Sequence, residues 1–156
     1  MGMQSIISGY ILEAHPGWAA GGDPEKAQKL IDIAAFMVKE NSRAISSLPE
    51  VDSWPCLPQS IFSQSSDPAV TYWNTPIHFA ACMNQLDFDL KLWFEKFEKL
   101  LASMYWEKVV VHFEGAHFGY HAFGWQPKEE WTANLRSGKL EPITWNFTGT
   151  LDPADH

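Results

Sequence analysis

The sequence predicts an α+β fold: an antiparallel or mixed sheet of about five to seven strands with two main helices packed on one face. Three observations carry that expectation. Leu86, Leu90, Trp93, Phe94, Phe97, Leu100, Leu101 and Met104 recur at three- and four-residue spacing, which draws one broad apolar stripe along a helix. Residues 109–114 and 117–123 are rich in β-branched and aromatic side chains, with Gly115-Ala116 between them, the pattern of a hairpin. The order strand, helix, several strands, helix, hairpin supplies too few helices to cover both faces of a parallel sheet.

Taken in order, residues 5–14 read as a first strand with Ile6, Tyr10 and Leu12 on one face and Ile7 and Ile11 on the other. Apolar residues on both faces predict a central or buried strand. Asp23-Pro24 is an N-cap followed by proline at the first helical position, and a helix follows over residues 24–45. Its expected inner stripe is Ala27, Leu30, Ile31, Ala34, Met37 and Val38. Residues 48–60, with Pro49, Pro55 and Pro58, have no period and read as an irregular, semi-rigid segment. Short strands are expected at 61–63, 70–73 and 76–81. The second helix follows, with Asp87 and Asp89 near its start, where the helix dipole favours anions. After the hairpin come a short helix over 127–137, a last strand over 143–147 and a tail over 148–156. Residues 1–156 therefore form one domain, with no repeat or interdomain linker.

In the hairpin, a two-residue turn at Gly115-Ala116 sets Glu114 opposite His117, Phe113 opposite Phe118 and Val111 opposite Tyr120. One face is then Val109, Val111, Phe113, Phe118 and Tyr120. The other carries Val110, His112, Glu114, His117 and His121. Histidine and carboxylate side chains on adjacent strands suit a zinc or iron ion, or acid–base work. The same residues equally suit the polar, solvent side of a half-buried sheet. No Rossmann, P-loop, HExxH, GxSxG or EF-hand motif occurs, and no cofactor is expected.

A formal charge of −8 disfavours nucleic acid and anionic membrane as partners and suits a basic protein. Cys56 and Cys82 have no metal-ligand spacing and fit a reducing cytoplasm. No Lys or Arg precedes the apolar residues of the N-terminal stretch, so no secretory signal is expected, and no apolar run has the length of a membrane span. The oligomeric state is left open, with a homodimer compatible.

Charge along the chain is uneven. No Lys or Arg occurs between Arg43 and Lys91, whereas Glu50, Asp52, Asp67, Asp87 and Asp89 do, interleaved with Trp54, Phe62, Tyr72 and Trp73. Carboxylates steer and pair with a basic surface while large aromatics anchor. The partner-binding residues predicted from this are Glu50, Asp52, Trp54, Asp67, Tyr72 and Trp73. In size, in this acidic and aromatic surface, and in its lack of catalytic motifs, the chain resembles the small acidic immunity proteins with which bacteria neutralise toxic effectors. The resemblance covers the chain as a type, without a shared motif. It implies a non-catalytic, cytoplasmic inhibitor that binds a basic cognate toxin. The alternative is a small metal-binding protein or metal-dependent enzyme using His112, Glu114, His117 and His121.

Overall fold

The computed structural model describes residues 4–17, 22–64 and 76–149. Its elements are β1 (Gln4–Glu13), α1 (Pro24–Ser46), β2 (Phe62–Gln64), β3 (Pro76–Asn84), α2 (Leu90–Ala102), β4 (Trp106–Gly115), β5 (Gly119–Pro127), α3 (Glu129–Arg136) and β6 (Trp145–Thr148). The strands form a six-stranded antiparallel sheet in the order β2-β3-β1-β4-β5-β6. With its helices this is the α+β arrangement expected. The strand predicted at 70–73 and most of the predicted tail lie outside the described residues; β6 itself reaches Thr148.

The core occupies one face of the sheet. Ile7 and Ile11 of β1, Ile77 and Phe79 of β3, Val109, Val111 and Phe113 of β4, and Phe123 and Trp125 of β5 are buried there. The α2 stripe lies over them. Phe97 packs on Phe79 at 5.3 Å and on Trp125 at 5.5 Å, and Phe94 meets Phe123 edge-on at 4.8 Å. Offset and edge-to-face geometry of this kind adds about 0.5–1.5 kcal/mol per aromatic pair beyond area burial. Before α2 the chain makes a 3-10 turn, Leu86–Asp89, so the predicted helix begins one turn later than its apolar period.

β1 is central, as predicted, but it is buried on one face only. Ile7 and Ile11 are fully buried, whereas Ile6 on the other face is exposed. Apolar content on both faces thus reflects a second surface rather than a second helical layer over it.

Asp23 caps α1, its carboxylate accepting from the N–H groups of Glu25 and Lys26. The inner line of α1 differs from the predicted stripe. Leu30 and Met37 are buried, but Ile31 and Val38 are about half exposed, and Asn41 takes the inner position instead. Asn41 donates to the Glu13 carboxylate at 2.8 Å and to the Tyr105 carbonyl at 2.9 Å, and accepts from Tyr105 N–H at 2.7 Å. A buried polar side chain with three hydrogen bonds fixes the helix's rotation, and hydrophobic periodicity cannot register it.

The hairpin register also differs. The connection is three residues long, the last pair is Gly115 with Gly119, and Glu114 faces Tyr120, Phe113 faces His121 and Val111 faces Phe123. Gly119 adopts φ +70°, which an L side chain rarely does. The shift is by an odd number of residues, so the whole of β5 is turned over relative to expectation. It places Phe123 and Trp125 in the core and Tyr120 on the outer face, 61% exposed. Among the described residues no helix is long and apolar enough to cross a membrane.

Candidate partner-binding surface

The proline-rich segment 48–58 is held against α2. The Asp52 carboxylate accepts from Leu57 N–H and Ser53 N–H at 2.9 Å each and from Lys96 Nζ at 2.9 Å. Lys96 Nζ also donates to the Ser53 carbonyl, and Trp93 Nε1 donates to the Cys56 carbonyl at 3.0 Å. The Lys96 hydrogen bond is the main reason that the Asp52 carboxyl lies below its ordinary range; partial burial opposes it, and the backbone donors of Leu57 and Ser53 add to it. Leu57 is buried beneath the loop. The segment is irregular in dihedrals and firmly anchored.

This anchoring divides the predicted residues. Glu50 is exposed. Asp52 is a structural ligand of its own loop, its side chain 16% exposed against Lys96. Trp54 is 45% exposed, with its indole Nε1 donating to Asp89 Oδ2 at 2.7 Å. Asp67, Tyr72 and Trp73 lie outside the described residues. The interval that lacks Lys and Arg in sequence does not lack them in space, because α2 returns Lys96 to Asp52.

The structure adds residues that the sequence reading passed over. Around Asp89, the exposed large apolar side chains are Phe88 at 65% and Leu92 at 49%, and Val51 at 90% stands three residues before Trp54. Phe88 packs its ring on His117 at 5.2 Å and edge-on to Phe118 at 5.3 Å, linking the α2 entrance to the hairpin turn. Phe88 and Leu92 both fall outside the apolar stripe of α2. A large apolar residue off the stripe was the available signal.

That hairpin turn is held by Asp87, which is buried. Its carboxylate accepts from Ser5 Oγ at 2.8 Å and from the N–H groups of His117 and Phe118 at 3.0 Å each, while Ser5 Oγ accepts from Leu86 N–H. Burial pushes the Asp87 carboxyl up, but these donors outweigh it and hold it below its ordinary value. Asp87 is therefore a turn anchor, beyond the dipole role expected of it.

The four residues of the histidine face are not brought together. His112 and Glu114 share the outer face of β4, where His112 Nδ1 pairs with the Tyr120 hydroxyl and the two rings stack. His117 is in the turn against Phe88. His121 is on the core side of β5, opposite Phe113, with Nε2 paired to the Phe118 carbonyl. The expected register is the reason for the discrepancy: moving β5 by an odd number of residues carries His121 to the other face. Among the described residues no group of three or more His, Cys, Asp or Glu side chains is placed to hold a metal ion.

Comparison with known proteins finds no matching family model, no similar curated protein and no similar solved structure.

Proposed function

We propose that this chain is a non-catalytic binding protein of the cytoplasm that neutralises a basic protein, in the manner of the small acidic bacterial immunity proteins. The observation that carries the reading is the exposed Trp54, its indole hydrogen-bonded to Asp89, together with the exposed Phe88 and Leu92 that lie beside Asp89 in the chain, on a chain of net charge −8. Tryptophan in a pre-ordered setting is the residue type most often found to dominate binding energy. Holding it in place before binding lowers the ordering cost of association. The net negative charge would speed encounter with a basic surface. Glu50 would serve at the rim, and Asp52 would act by shaping the loop. A groove of about 340 Å³ lined by Leu48, Pro49, Asp52, Leu57, Lys96 and Leu100 adjoins the same loop and offers a recess for a partner side chain.

The test is affinity capture from the native host with the wild-type chain and with Trp54→Ala and Glu50→Lys variants, followed by kinetics on the captured protein. The expected partner is strongly basic. Trp54→Ala should cost about 2 kcal/mol of affinity, expressed in the dissociation rate. Glu50→Lys should slow association and reduce its salt dependence while leaving dissociation nearly unchanged. An acidic or neutral partner, or a basic one indifferent to Trp54→Ala, rules out this surface and this reading of it.

A further inference from the structure

The face of the sheet opposite the core has no helix over it among the described residues. It is also poor in charge for so acidic a chain. Cross-strand pairing arranges it in four rows along β4, at Lys108, Val110, His112 and Glu114. Apart from histidine, Lys108 and Glu114 are the ionisable groups charged at neutral pH in those rows, and they stand at opposite ends. Between them the face is small, aliphatic or aromatic: Ser8, Ala80 and Ala122 flank His112, and Tyr10, His78 and Gly124 flank Val110.

We propose that this face is a homodimer interface, in which two copies stack sheet on sheet about a two-fold axis running across the strands between the Val110 and His112 rows. Such an axis exchanges the two end rows and the two middle rows while keeping each strand over its own copy. It therefore sets Lys108 over Glu114 of the second copy, twice per dimer. Leu12, in the Lys108 row, meets Ile6 of the second copy, in the Glu114 row. In the middle, Tyr10 lies over Ser8 and His78 over Ala80, large against small in each case, which is what interdigitation of two sheets at about 10 Å requires. Few point symmetries would satisfy charge and size together on one face, and an isologous two-fold does.

The area suffices. The four central strands at about 4.8 Å spacing are about 19 Å wide, and eight residues at about 3.4 Å rise give about 27 Å of length. With side-chain relief this is roughly 600 Å² per copy, or about 1,200 Å² in total, the lower bound for a stable interface. A second copy is also the occupant whose −8 charge is best tolerated here, since this face keeps most of that charge out of the contact. The helix side carrying Trp54 stays free, so the dimer does not depend on the binding role proposed above.

Sedimentation equilibrium on the intact chain is expected to give a dimer with a Kd of about micromolar or tighter. Lys108→Glu and Glu114→Lys each oppose like charges twice and should weaken the dimer at least about tenfold, and the double variant should restore it. Ala80→Arg, away from the ends of the face, should give a monomer whose urea midpoint matches that of the wild type diluted below its dimer Kd. A wild-type chain that is monomeric at about 100 µM overturns the proposal. So does a dimer that tolerates Ala80→Arg, or single charge reversals without effect, or a double variant no better than either single.

Discussion

Asp87→Ala is expected to destabilise the fold by about 3–5 kcal/mol, the largest loss for any polar residue described. The carboxylate is buried and satisfies Ser5 Oγ and the N–H groups of His117 and Phe118. Alanine would leave the buried Ser5 hydroxyl and the two part-buried N–H groups without this acceptor, at up to about 1–3 kcal/mol each. Gly115 packs directly on this carboxylate, since a Cβ there would fall 2.0 Å from Asp87 Oδ2, so alanine would also leave a gap beside the turn. Asp87→Asn separates shape from charge. Its amide oxygen could take both backbone N–H groups while its NH₂ faces Ser5 Oγ, so the turn should survive at a cost of about 1–2 kcal/mol. Urea unfolding at neutral pH ranks the three chains, and a loss for Asp87→Ala below about 1 kcal/mol would show that the turn does not need its anchor.

The same pair predicts a pH effect. The Asp87 carboxyl is lower in the folded chain than its ordinary 3.8, so its contribution is fully present above that value and is lost as pH falls through the folded value. Asp52 acts in the same direction through Lys96. Glu13 acts in the opposite one: burial raises its carboxyl, against the hydrogen bonds of Asn41 and Gln64, so what it contributes at low pH is lost as pH rises through its folded value. Wild-type stability should therefore fall on acidification below about pH 4, and Asp87→Asn should flatten that limb. Equal acid slopes in the two chains would mean that Asp87 is not the group titrating.

What the sequence disclosed follows from which forces have a period. The α2 stripe, the Asp23 cap and the strand runs are repeated or local signals, and the elements formed close to where they were expected. Polar anchors have no period. Asn41 falls outside the predicted α1 stripe and Asp87 is expected only as an anion at a helix start, yet one sets the rotation of α1 and the other the hairpin turn, through partners 28 to 82 positions away in the chain. The candidate surface was legible in part for the same reason. Trp54 and Glu50 stood out by type, but the roles of Asp52 and Asp89 depend on Lys96 and Trp54 arriving from elsewhere. Phe88, in the 3-10 turn, and Leu92, in α2, stand beside the stronger apolar stripe that begins at Leu86, which masks them.

The hairpin gives the sharpest contrast between local and tertiary information, and it makes the second large prediction. A two-residue turn at Gly115-Ala116 is the better local choice, and it would point Tyr120 inward and Trp125 outward. The observed three-residue connection reverses both: Trp125 is fully buried against Phe94 at 5.3 Å, Phe97 at 5.5 Å and Phe147 at 5.0 Å, while Tyr120 stands on the outer face. Burying a large aromatic such as Trp125 stabilises by several kcal/mol, more than turn geometry commonly decides, so the core sets the register and the turn follows with Asp87 as its clamp. Trp125→Ala should thus cost about 3–5 kcal/mol, and Tyr120→Ala under about 1 kcal/mol in the monomer. Denaturant titrations of the two variants decide between the registers directly, since the shorter turn requires the opposite order. If Tyr120→Ala proved the more damaging, the clamp, the split of the histidines and the outer-face rows would all fall with it.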